Sequence, residues 1–89
     1  MKAVRELRKT GWLVYRVKGS TKFNRNVDIF TLFDICAKKN KITLWLQIKS
    51  NRKPVLTPFE DFKKKYCCKH EKCEVWVYKD YKGKKEYRI

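Results

Sequence analysis

Two apolar runs separated by a short polar turn constrain this chain more than any other feature. They are Phe33-Asp34-Ile35-Cys36-Ala37 and Ile42-Thr43-Leu44-Trp45-Leu46-Gln47-Ile48-Lys49, joined by Lys38-Lys39-Asn40-Lys41. Runs rich in β-branched and aromatic residues around a polar break predict a β-hairpin. The hairpin puts a carboxylate, Asp34, on its first strand and an amide and an ammonium, Gln47 and Lys49, on its second. Strand side chains alternate, so Gln47 and Lys49 face the same side. The second run is almost continuously apolar until Gln47, which predicts a central strand covered on both faces.

The rest of the chain predicts the order α-β-β-β-α-β-β. Residues 2–10 read as a short helix with Val4 and Leu7 on its buried face, ended by Gly11. Trp12 to Lys18 alternates as a first strand, Gly19 to Asn26 is a polar loop, and Val27 to Ala37 is extended. Thr57-Pro58-Phe59-Glu60 predicts a helix start, with Thr57 as N-cap and Glu60 closing a capping box. Phe59, Phe62 and Tyr66 recur at helical spacing and predict a face packed on the sheet. Glu74 to Lys79 and Lys84 to Ile89 read as closing strands around a turn. A parallel neighbour for the central strand needs a crossover, and a helix over 57–68 supplies it. The expectation is one α/β domain over residues 1–89, a mixed central sheet flanked by two helices.

Charge narrows the partners. The chain holds 24 Lys and Arg against 9 Asp and Glu, a net charge of +15, beside 15% aromatic residues. A disordered basic tail would lack those aromatics, so a compact core is expected. Such a charge points to nucleic acid rather than to a membrane surface. No apolar stretch approaches the ~20 residues of a membrane helix, and Met1 to Thr10 has no apolar segment of a signal peptide. A cytoplasmic protein, or one acting in a host-cell cytoplasm, is therefore expected.

A carboxylate, a carbonyl oxygen and a lysine on one face form the set a magnesium-dependent phosphodiesterase needs. Mg²⁺ (or Mn²⁺) takes oxygen ligands, neutralises phosphate oxygens and activates water. Asp34, the Gln47 side-chain carbonyl and the Ile48 backbone carbonyl are the candidate ligands, with Lys49 orienting water or stabilising phosphate charge. Asp28 competes with Asp34 for the same role. Eighteen residues separate Asp28 from Gln47 and twelve separate Asp34 from it, and the shorter spacing suits the hairpin. Asp28 then becomes a second metal or loop-positioning residue.

These segments also resemble a family. "FDICA…LWLQIKSN" is similar to the core of the PD-(D/E)XK nuclease superfamily, whose restriction-endonuclease-like core has this element order, in its variant with Gln before the xK. In size and order the chain resembles archaeal Holliday-junction resolvases and the small resolvase-like nucleases of phages and archaeal viruses. The resemblance implies a metal-dependent DNA endonuclease acting on branched DNA as a homodimer, in repair, recombination, replication of a virus or defence against foreign DNA. It implies the catalytic set Asp34, Gln47 and Lys49, with Glu6 on the first helix reaching the metal. "YRVKGS" is similar to a resolvase segment in which a basic residue and a serine approach the phosphate, here Arg16 and Ser20. The departure is Gln47 in place of an acid, which removes a charge and should weaken metal binding.

Further cations cluster as Arg5, Arg8 and Lys9, as Lys22 and Arg25, and as Arg52 and Lys53. The last two groups lie in loops at the motif's end of the strands, suited to phosphate contacts. Lys63, Lys64 and Lys65 read as a solvated helix face. Cys67, Cys68, His70 and Cys73 form a separate group with three readings: zinc, a disulfide, or one core cysteine beside surface thiols. Two other functions stay open on sequence: a non-catalytic nucleic-acid-binding module on a degenerate nuclease fold, and a small interaction protein held by a Cys/His metal site.

Overall fold

The structure is a computed structural model, and it describes residues 2–16, 29–30, 32–80 and 82–89. Its elements are α1 (Lys2–Lys9), β1 (Leu13–Arg16), β2 (Ile35–Lys39), β3 (Ile42–Ser50), α2 (Thr57–Tyr66), β4 (Glu71–Lys79) and β5 (Gly83–Arg88). The order is the expected one. The five strands form one sheet, β1-β2-β3-β4-β5, antiparallel except for the parallel pair β3 and β4. Helix α2 makes the crossover between that pair.

Each helix covers one face. Ala3, Val4 and Leu7 of α1 bury against Ile35, Ala37, Leu44, Leu46 and Trp76. Phe59 and Phe62 of α2 bury against Phe33, Cys73, Val75 and Val77 on the other side. Strand β4, covered twice, is buried without interruption from Cys73 to Val77, as expected of a parallel strand between two helices. Gly11 ends α1 as its left-handed cap at φ 92°. Its N–H donates to Arg8 O at 3.1 Å and the Trp12 N–H donates to Leu7 O at 3.0 Å, the paired bonds of a Schellman motif.

Several boundaries differ from expectation, each for a physical reason. The segment before β2 is not extended. The N–H groups of Leu32 and Phe33 both donate to Ile29 O at 3.0 Å, and Phe30 takes φ 53°. The chain turns tightly there, so Asp34 sits at a bend just before β2 rather than on the strand. Helix α2 has Leu56 at its N-cap position with no side-chain cap bond, and Thr57 is already helical. The expected capping box does not form. Glu60 still lies in the first turn, where a carboxylate favours the helix dipole.

Helix α2 ends at Tyr66, and Tyr66 is 71% exposed instead of packing on the sheet. Lys63 turns from the solvated face to donate to the Ile89 backbone carbonyl. Strand β4 starts three residues early, at Glu71. The Glu71 carboxylate accepts from the Cys68 N–H at 2.8 Å and from the Trp45 indole at 3.1 Å, which fixes a polar segment into the strand.

Candidate active site

Strand parity sets the site's position. On β3, Leu44, Leu46 and Ile48 pack toward α1, while Trp45 packs toward α2. Gln47 and Lys49 therefore share the α2 face. The β2–β3 register runs Cys36↔Trp45 and Ile35↔Leu46, so one further step sets Asp34 opposite Gln47. The Asp34 N–H donates to Leu46 O at 2.9 Å, holding that step.

Gln47 and the backbone of Ile48 meet Asp34 at its Oδ2. The Ile48 backbone N–H donates to it at 2.9 Å. With the Gln47 amide oriented as its neighbours demand, Nε2 donates to Asp34 Oδ2 at 3.2 Å and to Leu32 O at 2.6 Å. The O and N of an amide are assigned by such partners. Its Oε1 then turns away from Asp34 as an oxygen donor. The N–H and C=O of one strand residue point to the same edge, so the Ile48 carbonyl lies on the Asp34 side as well. The oxygens on this side belong to the Asp34 carboxylate and the Ile48 backbone carbonyl, and the Gln47 carbonyl oxygen would join them only with its amide turned over. The set is hard and carries a single negative charge.

Gln47 and Lys49 line an open cleft of about 450 Å³ with Leu32, Arg52, Lys53 and Pro58. Arg52 and Lys53 are exposed, and among the described residues no carboxylate pairs with them or with Lys49. The loop that carries them is latched at its start. Asn51, at φ 56°, donates from Nδ2 to Asp80 Oδ2 at 3.1 Å, and its Oδ1 accepts from the Asp80 N–H at 3.0 Å. Asn51, Asp80 and the Leu32 carbonyl are supporting groups that the sequence reading missed. The signal for Asn51 was its type, since Asn tolerates the left-handed region at a strand end.

Other candidates lie elsewhere. Glu6 is on α1, over the opposite face, and pairs with Lys84 of β5; the structure does not bring it to Asp34. Arg5, Arg8 and Lys9 are exposed on the same helix. Arg16 ends β1 in register with Ile35, on the side of Val14, which packs toward α1. Ser20, Lys22, Arg25 and Asp28 lie outside the described residues.

The cysteine group does not assemble. All four cysteines are free, and among the described residues no three Cys, His, Asp or Glu side chains converge to hold a metal ion. Cys73 is a core residue whose thiol is pushed up to about 12 by burial. Cys67 packs at the edge of the α2 cluster and Cys68 is exposed.

No protein-family model and no curated protein sequence matches the chain. A solved structure does: that of Hjc, a Holliday junction resolvase from the archaeal hyperthermophile Archaeoglobus fulgidus. The TM-score is 0.62 at 19% identity, over 98% of this chain and 71% of that one. The chain shares the fold of that protein. The mixed five-stranded sheet with one helix on each face is the restriction-endonuclease-like core expected from the sequence. Among the described residues no helix is long and apolar enough to cross a membrane.

Proposed function

We propose that the chain is a divalent-metal-dependent DNA endonuclease, selective for branched DNA, whose site is Asp34 together with the cleft lined by Gln47 and Lys49. The observation that carries this reading is the convergence of Ile48 N–H and Gln47 Nε2 on Asp34 Oδ2, beside three cations that no described carboxylate neutralises. A fold shared with a Holliday junction resolvase supports the branched substrate, and cutting two strands in concert would call for a homodimer.

The oxygen set suits Mg²⁺ or Mn²⁺ held with few protein ligands and several waters. When bound, such an ion supplies Lewis acidity toward the phosphate and a lower pKa for water. Asp34 contributes the set's one charge, and the Gln47 and Ile48 carbonyls contribute neutral donors. With one charge, the affinity should be weak, on the order of millimolar. Lys49, two residues from Gln47 on the same face, reaches toward the phosphate and offsets the charge that builds on it. Arg52 and Lys53 hold flanking phosphates and fix register without reading bases.

One observation favours a second reading, a binding module on a nuclease fold. Gln47 gives its amide N–H to Asp34 Oδ2, so a protein donor takes up an oxygen that a metal would need. Cleavage of labelled four-way junction, flap, single-stranded and linear duplex DNA in Mg²⁺, Mn²⁺ or EDTA separates the two. Metal-dependent cutting with a preference for the branched substrates is expected. Tight binding without cutting in any metal would leave the binding module.

A further inference from the structure

The candidate cleft continues into a second concavity of different chemistry. Leu32 and Pro58 line both. Beyond them lies a groove of about 770 Å³ walled by Phe30, Trp45, Phe62 and Tyr66. Adjacent ring centroids are 5.8 Å apart for Phe30 and Trp45, 5.6 Å for Phe30 and Phe62, and 5.4 Å for Phe62 and Tyr66. The rings are tilted to one another by 35° to 58° in these pairs, so they do not close into one stack. Phe30 is 64% exposed and Tyr66 71%.

Exposed apolar residues scattered singly need no explanation, but two aromatics flanking one groove floored by two more do. Phe30 adds a conformational cost, since a bulky residue at φ 53° is disfavoured. The fold therefore holds an aromatic ring at the groove mouth against its backbone preference.

We propose that this groove is a stacking site for an unpaired nucleobase of the nucleic acid whose backbone occupies the adjoining cleft. The proposal rests on that cleft being a phosphodiester site. Every base has a π-face, and aromatic side chains beside a cationic track are the general device for holding single strands. The charge pattern sorts the two parts of a nucleotide. Lys49, Arg52 and Lys53 line the cleft, whereas the groove's rim carries Lys65 beside the carboxylate of Asp61. A phosphate is drawn to the first and a neutral base to the second. Charge complementarity also favours a nucleic acid as the occupant, since a chain of net charge +15 attracts a polyanion.

Binding of a labelled oligothymidylate and of the same backbone built from abasic sites, in EDTA at fixed salt, tests the groove without relying on catalysis. The variants are Tyr66→Ala, Phe30→Ala, the ring-retaining Tyr66→Phe, and Leu13→Ala on β1 as an exposed control outside the groove's lining. Wild type is expected to prefer the base-bearing strand. Each alanine variant at the groove should lose about tenfold on it and little on the abasic strand, while Y66F and L13A bind as wild type does. Equal losses on both strands, or none, would overturn the proposal. So would groove variants that dissociate a dimer in sedimentation while leaving base preference intact, which would assign the groove to self-association. Wild type binding neither strand would defeat the cleft and the groove together; binding blind to bases would defeat the groove alone.

Discussion

The two faces of the sheet carry charge in opposite ways. Over the α1 face, Lys84 pairs with Glu6 and with Glu86, and Arg88 reaches Glu86 at 3.3 Å. The Lys84 ammonium also sits 3.5 Å from the centre of the Trp76 ring. On the α2 face, Lys49, Arg52 and Lys53 line a cleft with no ion pair to a described carboxylate. A cation saturated by its own chain serves the fold, and a cation without a counter-ion is available to a phosphate. The same residue types thus do structural work on one side and stay without a described counter-ion on the other.

The largest expected effect is Asp34→Asn. It keeps the shape but removes the site's charge, and metal-dependent DNA cleavage should fall to background in a gel assay. Lys49→Ala should lower kcat about a hundredfold or more with a much smaller change in DNA affinity, because its contact strengthens only as phosphate charge builds. Retained activity in either variant would break the contrast between the faces.

Gln47→Glu sharpens it. The substitution replaces two donated hydrogen bonds with a carboxylate facing Asp34 and the Leu32 carbonyl. Urea unfolding in EDTA should show a loss of about 1–3 kcal/mol, and added Mg²⁺ should stabilise Q47E more than wild type. If Q47E unfolds as wild type does in EDTA, the Gln47 amide does not donate to Asp34.

The α1 face should speak through stability and pH rather than cleavage. Burial pushes the Glu86 carboxyl up, but hydrogen bonds from Lys84 and Arg88 outweigh it and leave the group below 4.5. For Lys84 burial pulls down, yet its bonds to Glu6 and Glu86 hold it above 10.5. A depressed carboxyl stabilises above its unfolded pKa and loses that contribution as pH falls through the folded one. A raised ammonium stabilises below its unfolded pKa and loses it as pH climbs through the folded one. The Tm contribution of the network should therefore be flat from about pH 5 to 10 and decline outside. Lys84→Met should flatten both flanks, with the alkaline decline read in a pH series of thermal melts. Smaller still, Arg52→Ala and Lys53→Ala should each reduce the salt slope of DNA binding by about one unit.

Much of this was legible because it is local. The hairpin's alternation placed Gln47 and Lys49 on one face, and helical spacing found Phe59 and Phe62. What escaped depends on contacts distant in sequence or on a residue held against its preference. The bend that carries Asp34 depends on Phe30 in the left-handed region, which propensity disfavours. The early start of β4 depends on Trp45 bonding Glu71, 26 residues away. Glu6 finds its partner in Lys84, 78 residues along the chain, and nothing near Glu6 announces it.

The most direct test of the account sets Asp34→Asn, Glu6→Gln and wild type side by side on a labelled four-way junction in Mg²⁺, with melting temperatures in parallel. Wild type and E6Q should cut at similar rates, E6Q should melt lower, and D34N should bind without cutting. Loss of cleavage in E6Q equal to that in D34N, with its melting temperature unchanged, would put the chemistry on the wrong face and contradict the account.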